Sequence, residues 1–299
     1  MDHQSPEELK RQVRATYADI ALQDKDTNAR SCCGSGGCTN EVATIMSEDY
    51  SALAGYAPDA DLGLGCGLPT QFADIRPGDT VLDLGSGAGN DCFIARHATG
   101  EDGRVIGVDF TPEMVEKAKG NASRLGFQNV EFRQGDIEAL PIGGGLVDVV
   151  VSNCVLNLVP DKRQAFCEVF RVLKPGGHFT ISDVVLKGTL PENLRQAAEM
   201  YAGCVSGASQ ESDYLGLIHD LGFANVSVQG RKPIVVPDDI LANYLSPEER
   251  MAFKNSEVGI FSITVSATKP LDRPEAGGRT QRDKAELKAA CCGSGSNCC

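Results

Sequence analysis

The ten residues Val81–Asn90, VLDLGSGAGN, constrain this chain more than any other stretch. Val81, Leu82, Asp83 and Leu84 make a short run suited to a buried strand, and Gly85, Ser86, Gly87, Ala88 and Gly89 follow as a pliable turn. Asn90–His97 can begin a helix at once. A glycine turn between strand and helix lets a ligand approach the backbone beside a helix N-terminus. The spacing Gly85-x-Gly87-x-Gly89 departs from the G-x-G-x-x-G of dinucleotide sites. Asp83, in the penultimate strand position, is the sharper clue, because a carboxylate there can receive an ammonium group. A second strand, Arg104–Phe110, ends in Asp109, about twenty residues beyond the turn, which is the place of a ribose-binding acid.

The pattern continues. Thr111-Pro112 starts a helix with Met114, Val115, Ala118 and Leu125 on a partly apolar face; Met114 can cover a ring or simply fill the core. Val130–Gln134 reads as a third strand, followed by Gly135-Asp136-Ile137-Glu138, where Asp136 can bond an adenine amino group or cap a helix. Val147–Ser152 is a valine-rich run, the mark of a parallel strand buried on both faces, and it ends in Asn153-Cys154. Asp161 caps a helix through Leu173, Lys174-Pro175-Gly176-Gly177 makes a turn, and His178–Val185 is a fifth strand. Strands alternating with helices from 80 to 185 predict a doubly wound parallel sheet, with ligands beyond the C-terminal strand ends.

Helices over Glu192–Cys204 and Ser212–Gly222 come next. Late strands at Asn225–Val236 and Gly259–Thr268, separated by a helical Asp238–Asn255, close the sheet as an antiparallel pair. At the N-terminus Ser5-Pro6-Glu7-Glu8 opens a helix with a capping box, and Leu9, Val13, Tyr17 and Ile20 share one face, as in a lid. The chain divides into a lid (1–70), a core (71–185), a substrate segment with closing strands (186–270) and a flexible cysteine-rich tail (271–299).

A net charge of −13 disfavours a nucleic-acid partner. No apolar run is long enough to span a bilayer, and the polar N-terminus lacks the apolar core of a signal peptide, so a cytoplasmic location is expected. In that reducing compartment twelve cysteines point to soft-ion binding or redox chemistry rather than a disulfide framework. Ser31–Cys38 reads SCCGSGGC, Cys66 sits inside Gly65-Cys66-Gly67, and Cys291–Cys299 reads CCGSGSNCC, a near-echo of the first cluster. Cys92 and Cys167 lie among apolar helix neighbours and suit the core.

The motifs VLDLGSGAG, VIGVDFT, GDIEALP and KPGG resemble the class I S-adenosylmethionine (SAM)-dependent methyltransferases. The N-terminal CC pair, the GCG before the first strand, SNCVLNL after the fourth and the GCVSGA segment are similar to arsenite methyltransferases. The resemblance implies a Rossmann-like, mostly parallel seven-stranded α/β sheet with a cysteine-bearing N-terminal lid and a C-terminal extension. It implies arsenic-binding cysteines at Cys66, Cys154 and Cys204, with Cys32 or Cys33 in a redox or early binding step. Its SAM contacts fall on Asp83, Gly85, Ser86, Gly87, Gly89, Asn90, Asp109, Phe110, Met114, Asp136, Ile137 and Asn153. It further implies a monomer that methylates arsenite or methylarsenite, with glutathione or thioredoxin as reductant. Two other readings stand beside it: a small-molecule C- or O-methyltransferase, and a non-catalytic metalloid-binding or redox-sensing protein on the same fold.

Overall fold

The computed structural model describes residues 5–23, 48–191, 194, 205, 207–236 and 238–271. Seven strands form one sheet: β1 (Thr80–Leu84), β2 (Arg104–Asp109), β3 (Val130–Gln134), β4 (Val147–Asn153), β5 (Leu173–Lys187), β6 (Ala224–Ile234) and β7 (Gly259–Thr268). Their spatial order is β3-β2-β1-β4-β5-β7-β6. β1 lies parallel to β2 on one side and to β4 on the other, with Asp83 opposite Gly107 and Val151. The strand order therefore reverses at β1, and the crevice at the C-terminal ends of β1 and β4 is the natural ligand position. β7 is antiparallel to both β5 and β6. The observed sheet is the expected seven-stranded one, mostly parallel with an antiparallel closing pair.

Helices α1 (Pro6–Ala21), α2 (Asn90–Thr99), α3 (Pro112–Leu125), α4 (Lys162–Val172) and α5 (Glu211–Asp220) cover the sheet. On one face Phe93 and Phe132 pack with Val81, Val105 and Val149. On the other, Phe166, Phe179 and Tyr214 pack with Leu82, Val150 and Ile181. Burial on both faces is why β1 and β4 are rich in valine and leucine rather than alternating strictly between apolar and polar residues. Cys92 and Cys167 are buried in these layers.

Three local expectations differ from the structure. Lys174-Pro175-Gly176-Gly177 is not a free turn between elements but lies inside β5. There the β4–β5 register shifts between Val147 and Val149, and Gly176, at φ +81°, donates to Lys269 O while Lys269 donates to Gly177 O. The ladder thus passes through the glycines as a bulge. Asp238–Asn255 is not one helix but two, α6 (Asp238–Tyr244) and α7 (Pro247–Lys254). Pro247 cannot extend α6, and Ser246 with Glu249 forms a complete capping box that starts α7. Leu125, assigned to the apolar face of α3, is 41% exposed, because α3 ends there at Gly126 in the left-handed conformation. The helix expected over Glu192–Cys204 lies outside the described residues, apart from Leu194. At the N-terminus Ser5 accepts the Glu8 amide, one half of the expected capping box, while the Glu8 carboxylate pairs with Arg11 instead.

Candidate active site

The crevice at the switch point holds a cavity of about 140 Å³. The β1 turn, the end of β2, the loop after β3, the end of β4 and helix α1 all line it. The turn is pinned to β2: the amides of Gly85 and Ser86 both donate to Val108 O, at 2.8 and 3.1 Å. Gly85 has φ +66°, and a Cβ there would collide with the Val155 side chain, so only glycine fits. Asp109 holds the turn from the other side, accepting the amides of Gly87 and Thr111 at 2.9 Å each. Gly87, in contrast, has open space where a side chain would be, with only Met114 Sδ at 4.0 Å. Ser86 Oγ is buried with no hydrogen-bond partner among the described residues.

Most residues expected to contact the cofactor line this cavity: Asp83, Gly85, Ser86, Gly87, Asn90 and Asp109, together with Phe110, Met114, Asp136, Ile137 and Asn153. Gly89 does not. A Cβ on it would lie 2.8 Å from the Phe132 ring and 2.9 Å from that of Phe93, so the core packing demands the glycine. Met114 combines both roles weighed for it, being 1% exposed within the core and facing the cavity.

The site is an acidic well. Burial raises the Asp83 carboxyl well above the usual carboxylate range, and the neighbouring Asp91 charge pushes it further, against a hydrogen bond from Cys92 Sγ at 3.2 Å. Burial likewise lifts Asp91 to about 6, although it accepts from Asn153, Tyr50 and Thr70 at 3.4, 3.1 and 3.4 Å. Asp109 is raised by burial too, partly offset by its amide donors. Carboxylates crowded out of water favour a cation, since an opposite charge relieves both penalties.

The sulfur atoms stand on the rim of this well. Cys154 lines the cavity and is joined to Cys66 in a disulfide with a Cα–Cα distance of 5.8 Å. Both are 3% exposed. Cys154 adopts φ +61°, rare for a residue with a Cβ, with its amide bonded to Ser182 O at 2.8 Å. Asn153 clamps the other partner. Its Oδ1 accepts the amides of Cys66 and Gly67 at 3.1 and 3.3 Å, and its Nδ2 donates to Gly67 O at 2.8 Å. Tyr50 closes the network: its single hydroxyl proton lies within reach of both Gly67 O and Asp91 Oδ2, at 3.1 Å each, and its oxygen accepts from Asn153. Val184, Leu190, Leu241 and Ile260 pack around the two cysteines and keep the pair dry. Two of the three expected arsenic ligands are therefore adjacent. Cys204, Cys32, Cys33 and the Cys291–Cys299 tail lie outside the described residues. Among the described residues no group of three metal-ligating side chains is assembled.

A methyltransferase-domain family model matches residues 75–222. An arsenite methyltransferase of Halobacterium salinarum is 41% identical over 278 residues, covering 89% of this chain and 68% of that protein. The chain belongs to the arsenite methyltransferase family. The human arsenite methyltransferase is 34% identical over 228 residues, and the match spans 72% of this chain but 58% of that longer protein. Among solved structures, an arsenic(III) S-adenosylmethionine methyltransferase from Chlamydomonas reinhardtii superposes with a TM-score of 0.59 at 35% identity, covering 71% of this chain and 69% of that one. The YcgJ protein of Bacillus subtilis gives a TM-score of 0.56 at 27% identity, covering 68% of this chain and 97% of that one.

Three site residues of this family member were not singled out from sequence: Asp91, Tyr50 and Lys10. Asp91 resembles any acid in a first helical turn, and nothing local announces that it faces the cavity. Tyr50 and Lys10 act across 41 and 126 residues of chain, on Asp91 and Asp136 respectively. The available signal was that α1 was expected to be a lid, which makes its polar residues candidates for the cavity rim.

Proposed function

We propose that this chain transfers methyl groups from SAM to trivalent arsenic held by Cys66, Cys154 and Cys204. The observation that carries the proposal is the placement of the Cys66–Cys154 pair on the rim of a cavity walled by buried acids. The cavity residues suit SAM. Asp83 and Asp91 offer negative charge to its ammonium group, Asp109 its remaining acceptor capacity to the ribose hydroxyls, and Asp136 a carboxylate to the adenine amino group. The orphaned Ser86 Oγ and the open space at Gly87 leave the turn free to meet a ligand. When bound, SAM supplies an electrophilic methyl group on a positively charged sulfur.

The protein's task is placement. Soft thiolates select soft trivalent arsenic, and three sulfur ligands leave its lone pair directed away from them. That lone pair would form the arsenic–carbon bond as the sulfur–methyl bond of SAM breaks and S-adenosylhomocysteine leaves; arsenic would become pentavalent, and two electrons from the thiol reductant would return it to the trivalent state. The nucleophile carries no proton, so no general base is required, and orientation supplies the main rate gain. Burial of the pair, each cysteine 3% exposed, shields the reacting atoms from solvent. Cys66 and Cys154 bind arsenic only as thiols, so their disulfide must first be reduced, which gives glutathione or thioredoxin its place as co-substrate. Cys32 or Cys33 acts in that redox exchange or in early capture. The protein works as a cytoplasmic monomer.

Arsenic X-ray absorption on the reduced protein with one equivalent of arsenite tests the ligand set. Three sulfur neighbours are expected in the wild type and two in Cys204→Ser. An unchanged sulfur count in both Cys66→Ser and Cys154→Ser would show that arsenic is bound elsewhere.

A further inference from the structure

Helix α1 lies across the cavity at the loop after β3. Val13 and Tyr17 face the cavity, yet Ala21 is the one residue of the helix that is fully buried. Tyr17 and Ile20 pack partly buried against the core beside Ala21, and polar contacts add to this attachment. Lys10 bridges the carboxylates of Asp136, at 2.7 Å, and Glu138. The three side chains are partly shielded, at 23% exposure for Lys10, 38% for Asp136 and 12% for Glu138. Asp136 is itself held in place, since its Oδ1 accepts the Glu138 amide at 2.9 Å and leaves Oδ2 to Lys10. One turn further on, the Arg14 guanidinium stands 5.3 Å from the centre of the Phe110 ring, directly after the Asp109 that holds the glycine turn. At the far end Lys117 of α3 donates to the carbonyls of Ala21 and Gln23 at 2.8 and 3.2 Å, satisfying the end of the helix. Burial opposes the charge on Lys10, but hydrogen bonds from Lys10 to Asp136 and Glu138 hold its pKa above the usual value.

We propose that α1 is a latch over the adenosine side of the cofactor cavity, held shut by Lys10 across Asp136 and Glu138, and that its opening sets the rate of cofactor exchange. This rests on the placement of adenine at Asp136 and ribose at Asp109. A helix fixed by ions over one end of a ligand slows the ligand's departure without touching the reacting atoms. SAM and its demethylated product share the adenosine moiety, so the latch retains both alike. Lys10 also orients the carboxylate that receives the adenine amino group, which makes it a positioning residue for the cofactor. A helix docked by apolar area would hold as firmly in salt as without it, whereas partly exposed ion pairs weaken as salt rises.

The test is the dissociation rate of S-adenosylhomocysteine from the full chain, followed by stopped-flow displacement. Lys10→Met is expected to speed release about five-fold, in line with losing a partly exposed ion pair. It is expected to weaken SAM and S-adenosylhomocysteine by the same factor. Release from the wild type is expected to quicken between roughly 0.05 M and 0.5 M salt, and release from Lys10→Met to be flat over that range. Lys10→Arg keeps the charge and the wild-type behaviour, and Glu138→Gln reproduces part of the Lys10→Met effect should that variant fold poorly. Wild-type release rates and salt dependence in both Lys10→Met and Glu138→Gln would overturn the latch. Asp136→Asn separates the two levels of the argument. Undiminished SAM affinity in that variant removes the adenosine placement itself, whereas weakened affinity there alongside unaltered Lys10→Met removes the latch alone.

Discussion

Replacing Asn153 with alanine separates the positioning of Cys66 from the chemistry of the sulfur. The asparagine accepts the Cys66 and Gly67 amides and donates to Gly67 O, three hydrogen bonds between the end of β4 and the GCG loop. Gly67 O keeps the Tyr50 hydroxyl as a partner at 3.1 Å, so the two amides are the groups left orphaned. Each orphaned buried donor costs about 1–1.5 kcal/mol after relaxation, or about 2–3 kcal/mol for the pair. At about 1.4 kcal/mol per decade, the effective concentration of Cys66 beside Cys154 should fall roughly 30- to 150-fold. The assay equilibrates the protein in glutathione redox buffers and counts alkylated Cys66 and Cys154 by mass spectrometry. Asn153→Ala should need a more oxidising buffer by that factor to form the disulfide, with an unchanged circular dichroism spectrum. A wild-type midpoint in a folded Asn153→Ala protein would refute the clamp.

Three further predictions follow from the same structure. Asp91 titrates at about 6 in the cavity, and its ionised form is the one that attracts a cation, so SAM affinity measured calorimetrically should rise as pH climbs from about 5 to about 7. Asp91→Asn should bind SAM more weakly with a shallower profile, the remaining slope coming from Asp83 and Asp109, and an unchanged slope would remove Asp91 from the cation site. Asp183 is raised from 3.8 to about 7, first by burial and against the Lys162 charge, so ionising it costs the folded state more than the unfolded chain. Urea unfolding should therefore show stability falling as pH rises from about 4 to about 7 and levelling above, and Asp183→Asn should flatten this component. Gly85→Ala adds a left-handed penalty of about 1–2 kcal/mol to a collision with Val155. Thermal melts should show partial recovery in Gly85→Ala with Val155→Ala, and full additivity of the two changes would contradict the collision.

The parallel core was legible because its signals are local. β1 and β3 occupy the residues expected: β1 is buried and ends where the glycine turn begins at Gly85, and β3, a partly exposed edge strand, stops at Gly135. The break between α6 and α7 was also written locally: Ser246-Pro247-Glu248-Glu249 repeats the opening signature of α1 at Ser5-Pro6-Glu7-Glu8. What could not be read locally were effects of distant partners. Lys174-Pro175-Gly176-Gly177 looks like a turn until Lys269 supplies the amide and carbonyl that keep it in the ladder. Asp91 looks like an exposed helix-start acid until Tyr50 and Asn153 cover it. The cysteines fall between these cases. Their grouping came from the family resemblance, and the closeness of Cys66 to Cys154 across 88 residues of sequence follows from the Asn153 clamp and the left-handed Cys154.

The measurement that bears most directly on the central claim is product speciation after incubation with methyl-labelled SAM, arsenite and glutathione. The account predicts labelled methylarsenicals from the wild type and none from Cys154→Ser, with SAM binding retained in the variant. Labelled methylarsenicals at the wild-type rate from Cys154→Ser, or SAM binding by the wild type with no transfer to arsenic, would contradict it.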